Sequence, residues 1–188
     1  MRVRYKNIFV LSPGRSGSKS IVEATSHLTN YTSAHESRAA RLGNERFKYP
    51  DFHIEADNRL CWFFGEMSQR FSEDSVLYIH LKRDLQDTAD SFLHRLRNSN
   101  YRASIMNAFS HGILMKPGDW TPDEEAEVAK FYVETIHSNI SDFVKNKNHL
   151  VVHLQDGGES FDQFLTAIDA EGDLETARAT WKQVHNAR

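Results

Sequence analysis

The stretch Ser12-Pro13-Gly14-Arg15-Ser16-Gly17-Ser18-Lys19-Ser20 holds the densest chemistry in the chain. Gly14 and Gly17 permit a tight turn and close approach of a ligand. Arg15 and Lys19 bring positive charge, and Ser16, Ser18 and Ser20 bring hydroxyl donors. The apolar run Ile8-Phe9-Val10-Leu11 precedes the stretch, and a helix is expected to follow it. A strand that feeds a glycine turn and then a helix leaves backbone N–H groups pointing outward at the positive end of the helix dipole. That arrangement binds phosphate, sulfate or carboxylate. The nearest general template is the Walker A loop, G-x-x-x-x-G-K-[ST]. Lys19-Ser20 fit its end, but Pro13 and Ser18 stand where its two glycines belong.

A second cluster follows the apolar run Val76-Leu77-Tyr78-Ile79-His80-Leu81. Arg83 stands at its end and Ser91 comes eight positions later. Ligands of an open parallel sheet sit outside the carboxyl ends of the strands, so Arg83 should share an edge with the glycine loop. There Arg83 and Ser91 can both donate to a second phosphate. The same run leads into Lys82-Arg83 rather than into the acid that would hold Mg²⁺ in a nucleoside triphosphatase.

Charge patterning agrees with a small anionic ligand. The chain of 188 residues has 23 Lys+Arg and 26 Asp+Glu, a net charge of −3, which does not suit a long polyanion; no nucleic-acid partner is expected. Yet no acid precedes Glu23, and the stretch from Ser91 to Gly118 is acid-free with Arg95, Arg97, Arg102, Lys116, His94 and His111. That stretch either lies over a bound anion or forms a solvated helix face. His53, Glu55 and Asp57 alternate as metal ligands would, but no further ligands cluster with them, so an acceptor-side or surface role is expected. His149 and His153 fall on one face of a strand and are read as structural. Cys61, the only cysteine, sits in an apolar Leu-Cys-Trp-Phe-Phe run and reads as core; internal disulfides and multi-cysteine zinc sites are excluded.

The elements that must position these residues alternate between the two kinds. Strands are predicted at 8–11, 30–35, 76–81 and 150–154. Helices are predicted at 18–28, 58–71, 84–96, 103–114 and 123–145, with a loop at 117–122 and two short helices after Asp156-Gly157-Gly158. In the 58–71 segment Leu60, Phe63, Phe64, Met67 and Phe71 share a face. Asp84 and Asp87 suit the N-cap and third position of the 84–96 helix. Residues 37–57 are polar, interrupted by Pro50, and carry no assigned element. The alternation implies one α/β domain over residues 1–188, with a mostly parallel central sheet flanked by helices. Hydrophobic residues make up 39% and charged residues 26%, the composition of a folded chain. No apolar run reaches the ~20 residues of a membrane span, and the N-terminus lacks a secretory core, so a cytoplasmic location is expected.

Together these features resemble the sulfotransferase family that uses 3′-phosphoadenosine 5′-phosphosulfate (PAPS). The family's 5′-phosphosulfate loop reads roughly [KR]-[ST]-G-[ST]-[ST] after a first strand, and this chain has Arg15-Ser16-Gly17-Ser18-Lys19. The family's 3′-phosphate motif is an Arg ending a strand and a Ser at the eighth position after it, as in Arg83 and Ser91. Leu150-Val151-Val152-His153-Leu154-Gln155-Asp156 is similar to the late strand before the family's closing helices. The chain departs from the pattern at Lys19, at Ser20, where many members have an aromatic, and at Leu85, where Pro is frequent. The family's C-terminal R-K-G segment is absent.

The resemblance implies a P-loop-type fold and a metal-independent, in-line sulfuryl transfer from PAPS to a hydroxyl or amine on a small-molecule or glycan acceptor. It implies that Gly14, Arg15, Ser16, Gly17, Ser18, Lys19 and Ser20 hold the 5′ end of the donor, with Arg15 and Lys19 also acting on the leaving phosphate. Arg83 and Ser91 would hold the 3′-phosphate. Members use a His or a Glu near the end of an early strand as base, and Ala34-His35-Glu36-Ser37 offers both. Neighbours on a strand point to opposite faces, so one of the two should enter the site. Glu36, the further toward the carboxyl end, is the expected base, with His35 as the alternative. A P-loop kinase, or a nucleotide-binding module with a degenerate Walker A loop, is the competing reading.

Overall fold

The strand Asn7–Leu11 (β1) is buried along its whole length, and alternation sends its side chains to two different cores. Phe9 and Leu11 enter one; Ile8 and Val10 enter the other. A strand covered on both faces belongs in the middle of a sheet with helices on each side. The computed structural model, which describes residues 5–98, 105–116 and 120–183, has that architecture. Its sheet is five-stranded and all parallel, in the order β2-β3-β1-β4-β5, with β2 at Thr32–His35, β3 at His53–Ala56, β4 at Val76–Lys82 and β5 at His149–His153. The α/β class expected from the alternation of elements is the class observed.

Helices α1 (Ser18–Thr25), α6 (Glu159–Ala167) and α7 (Leu174–Lys182) cover one face through Ile21, Ala24, Phe161, Phe164, Leu165 and Trp181. The other face is covered by α2 (Phe64–Arg70), α3 (Leu85–Asn98), the short α4 (Ile105–Asn107) and α5 (Pro122–Val144). In α5 the stripe Val128, Ala129, Tyr132, Val133, Ile136, Ile140 and Val144 is buried at helical spacing. Its start is fixed by a capping box: Thr121 Oγ1 accepts from the Glu124 N–H, and the Glu124 carboxylate accepts from the Thr121 N–H. No helix among the described residues is long and apolar enough to cross a membrane.

Three departures from the sequence reading matter. The expected helix over 58–71 is two elements: a 3₁₀ turn at Asn58–Trp62, then α2. Asp57 Oδ1 accepts from the Arg59 N–H at 2.8 Å and tightens the turn, and Phe63 leaves helical geometry between the two. The unassigned stretch contains β3, wedged between β2 and β1. All four β3 residues are buried although His53 and Glu55 are polar, so no apolar pattern announces the strand. Finally, Ile105–Asn107 continues as a wider π turn over Ala108–Ile113. Residues 103 and 104 of the expected 103–114 helix, Arg102 of the basic stretch, and the first part of the 117–122 loop lie outside the described residues.

Candidate active site

The order of strands creates the site. From β1 the chain crosses to β2 on one side, and the later crossover from β3 leads to β4 on the other. The loops after β1 and β4 therefore open beside each other at the carboxyl edge, where open α/β sheets bind ligands. The loop after β1 runs through three left-handed residues, Gly14 (φ 90°), Arg15 (φ 59°) and Gly17 (φ 95°). Gly17 suits a conformation that side chains rarely adopt, and a Cβ there would stand 2.7 Å from Leu154 Cδ1, so the leucine end would have to shift.

The rear of this loop is held by hydrogen bonds to its carbonyls. Tyr132 Oη donates to Pro13 O at 2.7 Å, and Asn58 Nδ2 donates to the same oxygen at 3.3 Å. Cys61 Sγ–H faces Ser12 O at 3.6 Å. Ser16 turns its hydroxyl inward onto Gly14 O at 3.1 Å, and Ser16 and Ser20 are both buried. Ahead of the loop lies the N-terminus of α1. Its cap, Gly17, supplies no side-chain hydrogen bond, and its first turn holds no acid. The leading N–H groups of a helix have no intrahelical acceptor, so this end attracts an anion. Lys19, exposed in that first turn, reinforces the attraction.

Arginines converge on the same edge. Arg15 Nε donates to Ser91 Oγ at 2.9 Å, and Arg83 Nη1 donates to Arg15 O at 3.2 Å. The two stretches singled out in the sequence are thus in direct contact. Burial, then the charges of Arg95 and Arg83, pull the Arg15 guanidinium below its ordinary range. Arg95 follows Ser91 by one helical turn on α3 and lies on the same face. The start of α3 is pinned by Asp84, whose Oδ1 accepts from the Asp87 N–H at 2.9 Å, as its residue type predicts. Gln155, just past β5, accepts from the Asp84 N–H at 2.8 Å and donates to Asp87 Oδ2 at 2.7 Å. Three like charges held together at a sheet edge are the electrostatic complement of a multiply charged anion.

The end of β2 brings the two candidate bases to this edge but gives them different surroundings. His35 Nε2 shares a 3.0 Å hydrogen bond with Ser18 Oγ in the first turn of α1. Glu36 lies past the end of the strand in a left-handed conformation, φ 52°, and pairs with Arg59 at 2.8 Å. The sequence reading missed Tyr132, Asn58, Arg59 and Gln155. The one signal for Tyr132 was a tyrosine, rather than a phenylalanine, within an otherwise apolar helical stripe. His53, Glu55 and Asp57, for which the sequence suggests an acceptor-side or surface role, are all buried inside the molecule. Among the described residues no three potential metal ligands cluster. His149 and His153 share the exposed side of the edge strand β5. Trp62, the last residue of the 3₁₀ turn, is exposed, and Trp120 packs against the core that includes α5.

This α/β fold, a five-stranded parallel sheet flanked by helices, is shared with solved sulfotransferases. The sulfotransferase domain from the curacin biosynthetic pathway superposes with a TM-score of 0.61 at 11% identity, over 94% of this chain and 77% of that one. A sulfotransferase from Alicyclobacillus acidocaldarius gives 0.55 at 12% identity, over 91% and 83%. Mouse sulfotransferase SULT7A1, solved with PAP, gives 0.58 at 16% identity, over 94% and 65%. No family model and no curated protein matches the sequence.

Proposed function

We propose that the protein is a sulfotransferase that moves a sulfuryl group from PAPS to a hydroxyl or amine of a small-molecule or glycan acceptor. The observation that carries this reading is the contact of Arg15 with both Ser91 and Arg83, which joins the glycine loop and the strand-end arginine into one cationic site. The donor set fits a bisphosphate: the α1 N-terminus with Arg15, Ser18 and Lys19 for the 5′ end, Arg83 and Ser91 for the 3′-phosphate. The shared fold and the PAP complex of the mouse neighbour support the same assignment.

In this reading the acceptor gives its proton to a base, and its lone pair forms the new bond to sulfur. The bond between sulfur and the bridging phosphate oxygen breaks, and its electron pair leaves with 3′-phosphoadenosine 5′-phosphate. Arg15 and Lys19 stabilise the charge that grows on the leaving phosphate. These fixed cations supply what a metal would, so the reaction needs none. His35 is the better supported base, because β2 ends on it and its Nε2 lies against the anion loop. Glu36, favoured by sequence position alone, is engaged with Arg59.

Calorimetric titration with 3′-phosphoadenosine 5′-phosphate, with ADP as control and with and without Mg²⁺, tests the reading. Tight, Mg²⁺-independent binding that requires the 3′-phosphate is expected. Mg²⁺-dependent binding of ATP with no preference for the 3′-phosphate would replace it with the kinase reading.

A further inference from the structure

Next to the candidate base lies a polar chain, buried at Glu55 and His53, that the transfer reaction does not itself use. Glu55, on β3, has no exposed surface. Its Oε1 accepts from the Ser37 N–H at 2.7 Å, and its Oε2 accepts from Ser37 Oγ at 2.6 Å. The same Oε2 lies 3.1 Å from His53 Nε2, and His53 Nδ1 lies 2.8 Å from Thr32 Oγ1. A carboxylate only accepts, so His53 Nε2–H is the donor to Glu55 Oε2. Tyr49 stacks on the far side of the His53 ring at 5.9 Å.

The two ends of the chain bracket β2. Thr32 is its first residue and Ser37 lies two past its last, so β3 grips the four-residue edge strand at both ends through side chains. Between those grips stand His35 and the left-handed Glu36. Strained backbone at a non-glycine residue persists only where its surroundings over-determine it. Burying a carboxylate is a poor way to gain stability, since well-packed apolar residues do as well. Here all three hydrogen bonds to it serve one turn and one strand.

We propose that Glu55, acting through Ser37, and His53, acting through Thr32, are positioning residues that hold the two ends of β2 so that His35 Nε2 faces the glycine loop. The proposal deepens the sulfotransferase reading and rests on it for the turnover measurement, though not for the spectroscopic one.

The test uses the whole protein carrying Glu55→Gln, Ser37→Ala or Ser37→Thr. His35 is followed by its imidazole C–H NMR resonance, assigned by its loss in His35→Gln. The resonance is expected to shift in Glu55→Gln and Ser37→Ala and to stay in place in Ser37→Thr, which keeps the hydroxyl. With an acceptor in hand, kcat should fall at least ~10-fold in the first two variants while affinity for 3′-phosphoadenosine 5′-phosphate changes less than ~3-fold. An unmoved His35 resonance in Ser37→Ala overturns the proposal, and so does wild-type kcat in that variant. Ser37 lies in a surface turn, so Ser37→Ala decides the matter even if Glu55→Gln does not fold. Failure of the wild-type protein to bind the bisphosphate would defeat the sulfotransferase reading instead, and the resonance would still decide the positioning role.

Discussion

Arg15, on the loop after β1, donates from Nε to Ser91 Oγ on α3 at 2.9 Å, across 76 positions of sequence. The bond locks the loop to the helix while Arg83 and Arg95 press like charge on the same guanidinium. An anion placed among them would relieve that repulsion. The helix end and Lys19 act in the same direction.

Arg15→Ala should weaken 3′-phosphoadenosine 5′-phosphate binding by about ten- to a hundredfold, the usual effect of losing a charge-assisted contact. Arg83→Ala should erode the preference for nucleotides bearing a 3′-phosphate. Calorimetry at two salt concentrations checks both, with the wild type losing affinity as salt rises. Equal weakening of both nucleotide classes in Arg83→Ala would make that arginine a scaffold for the loop.

Gly17→Ala should destabilise the protein by ~1–3 kcal/mol, from left-handed backbone strain and overlap with Leu154. Adding Leu154→Ala should remove the overlap but not the strain, and neither variant should regain full bisphosphate affinity. Urea unfolding and calorimetry measure the two effects separately.

His35→Gln should lower turnover by ~10²–10⁴-fold with bisphosphate affinity nearly intact, the signature of a lost general base. Glu36→Gln should have a smaller effect, through release of Arg59. The reverse ranking in single-turnover sulfate transfer would return the role to Glu36.

Stability should fall as pH drops below neutrality. His80 on β4 and His137 on α5 lie 2.8 Å apart, and burial first, then neighbouring positive charge, pushes them down to about 3 and about 4. Unfolded histidines take up protons near ~6.5. The unfolded chain therefore binds more protons than the folded one once pH falls below that value, and the loss continues until the folded pair titrates. The slope for each histidine is at most ~1.4 kcal/mol per pH unit. Thermal melts from pH 7.5 to 5 should show the decline, and His80→Leu should flatten it.

Arg46→Met should destabilise by ~3–5 kcal/mol, because it strands a buried carboxylate. Arg46 Nη2 meets Asp57 Oδ2 at 2.6 Å with both side chains almost fully buried, and burial pushes the Asp57 carboxyl up against the pull of Arg46. Asp57 also caps the 3₁₀ turn that carries Asn58, so anion affinity should fall as well. The double variant Arg46→Met with Asp57→Leu should recover most of the stability in urea unfolding.

The sequence by itself determined the central strands and the glycine turn between β1 and α1, because their signals are local. Ile8 to Leu11 and Val76 to Leu81 are continuous apolar runs, and Gly14 and Gly17 mark a turn that other residues cannot make. The proximity of Arg83 and Ser91 to the glycine loop was legible as well, since a strand end and a fixed helical spacing place both at the carboxyl edge of the sheet. Only the tertiary structure decided the rest. β3 stayed hidden because two of its four buried residues are polar, and their partners, Ser37 and Thr32, lie far along the chain. The different surroundings of His35 and Glu36, on which the proposed ranking rests, depend on where β2 ends and on Ser18 and Arg59, which no spacing rule brings together. Likewise Tyr132 reads as one more core residue of an amphipathic helix until folding sets its hydroxyl against Pro13. Period and composition report which face of an element is buried; what that face meets is fixed only when the elements pack.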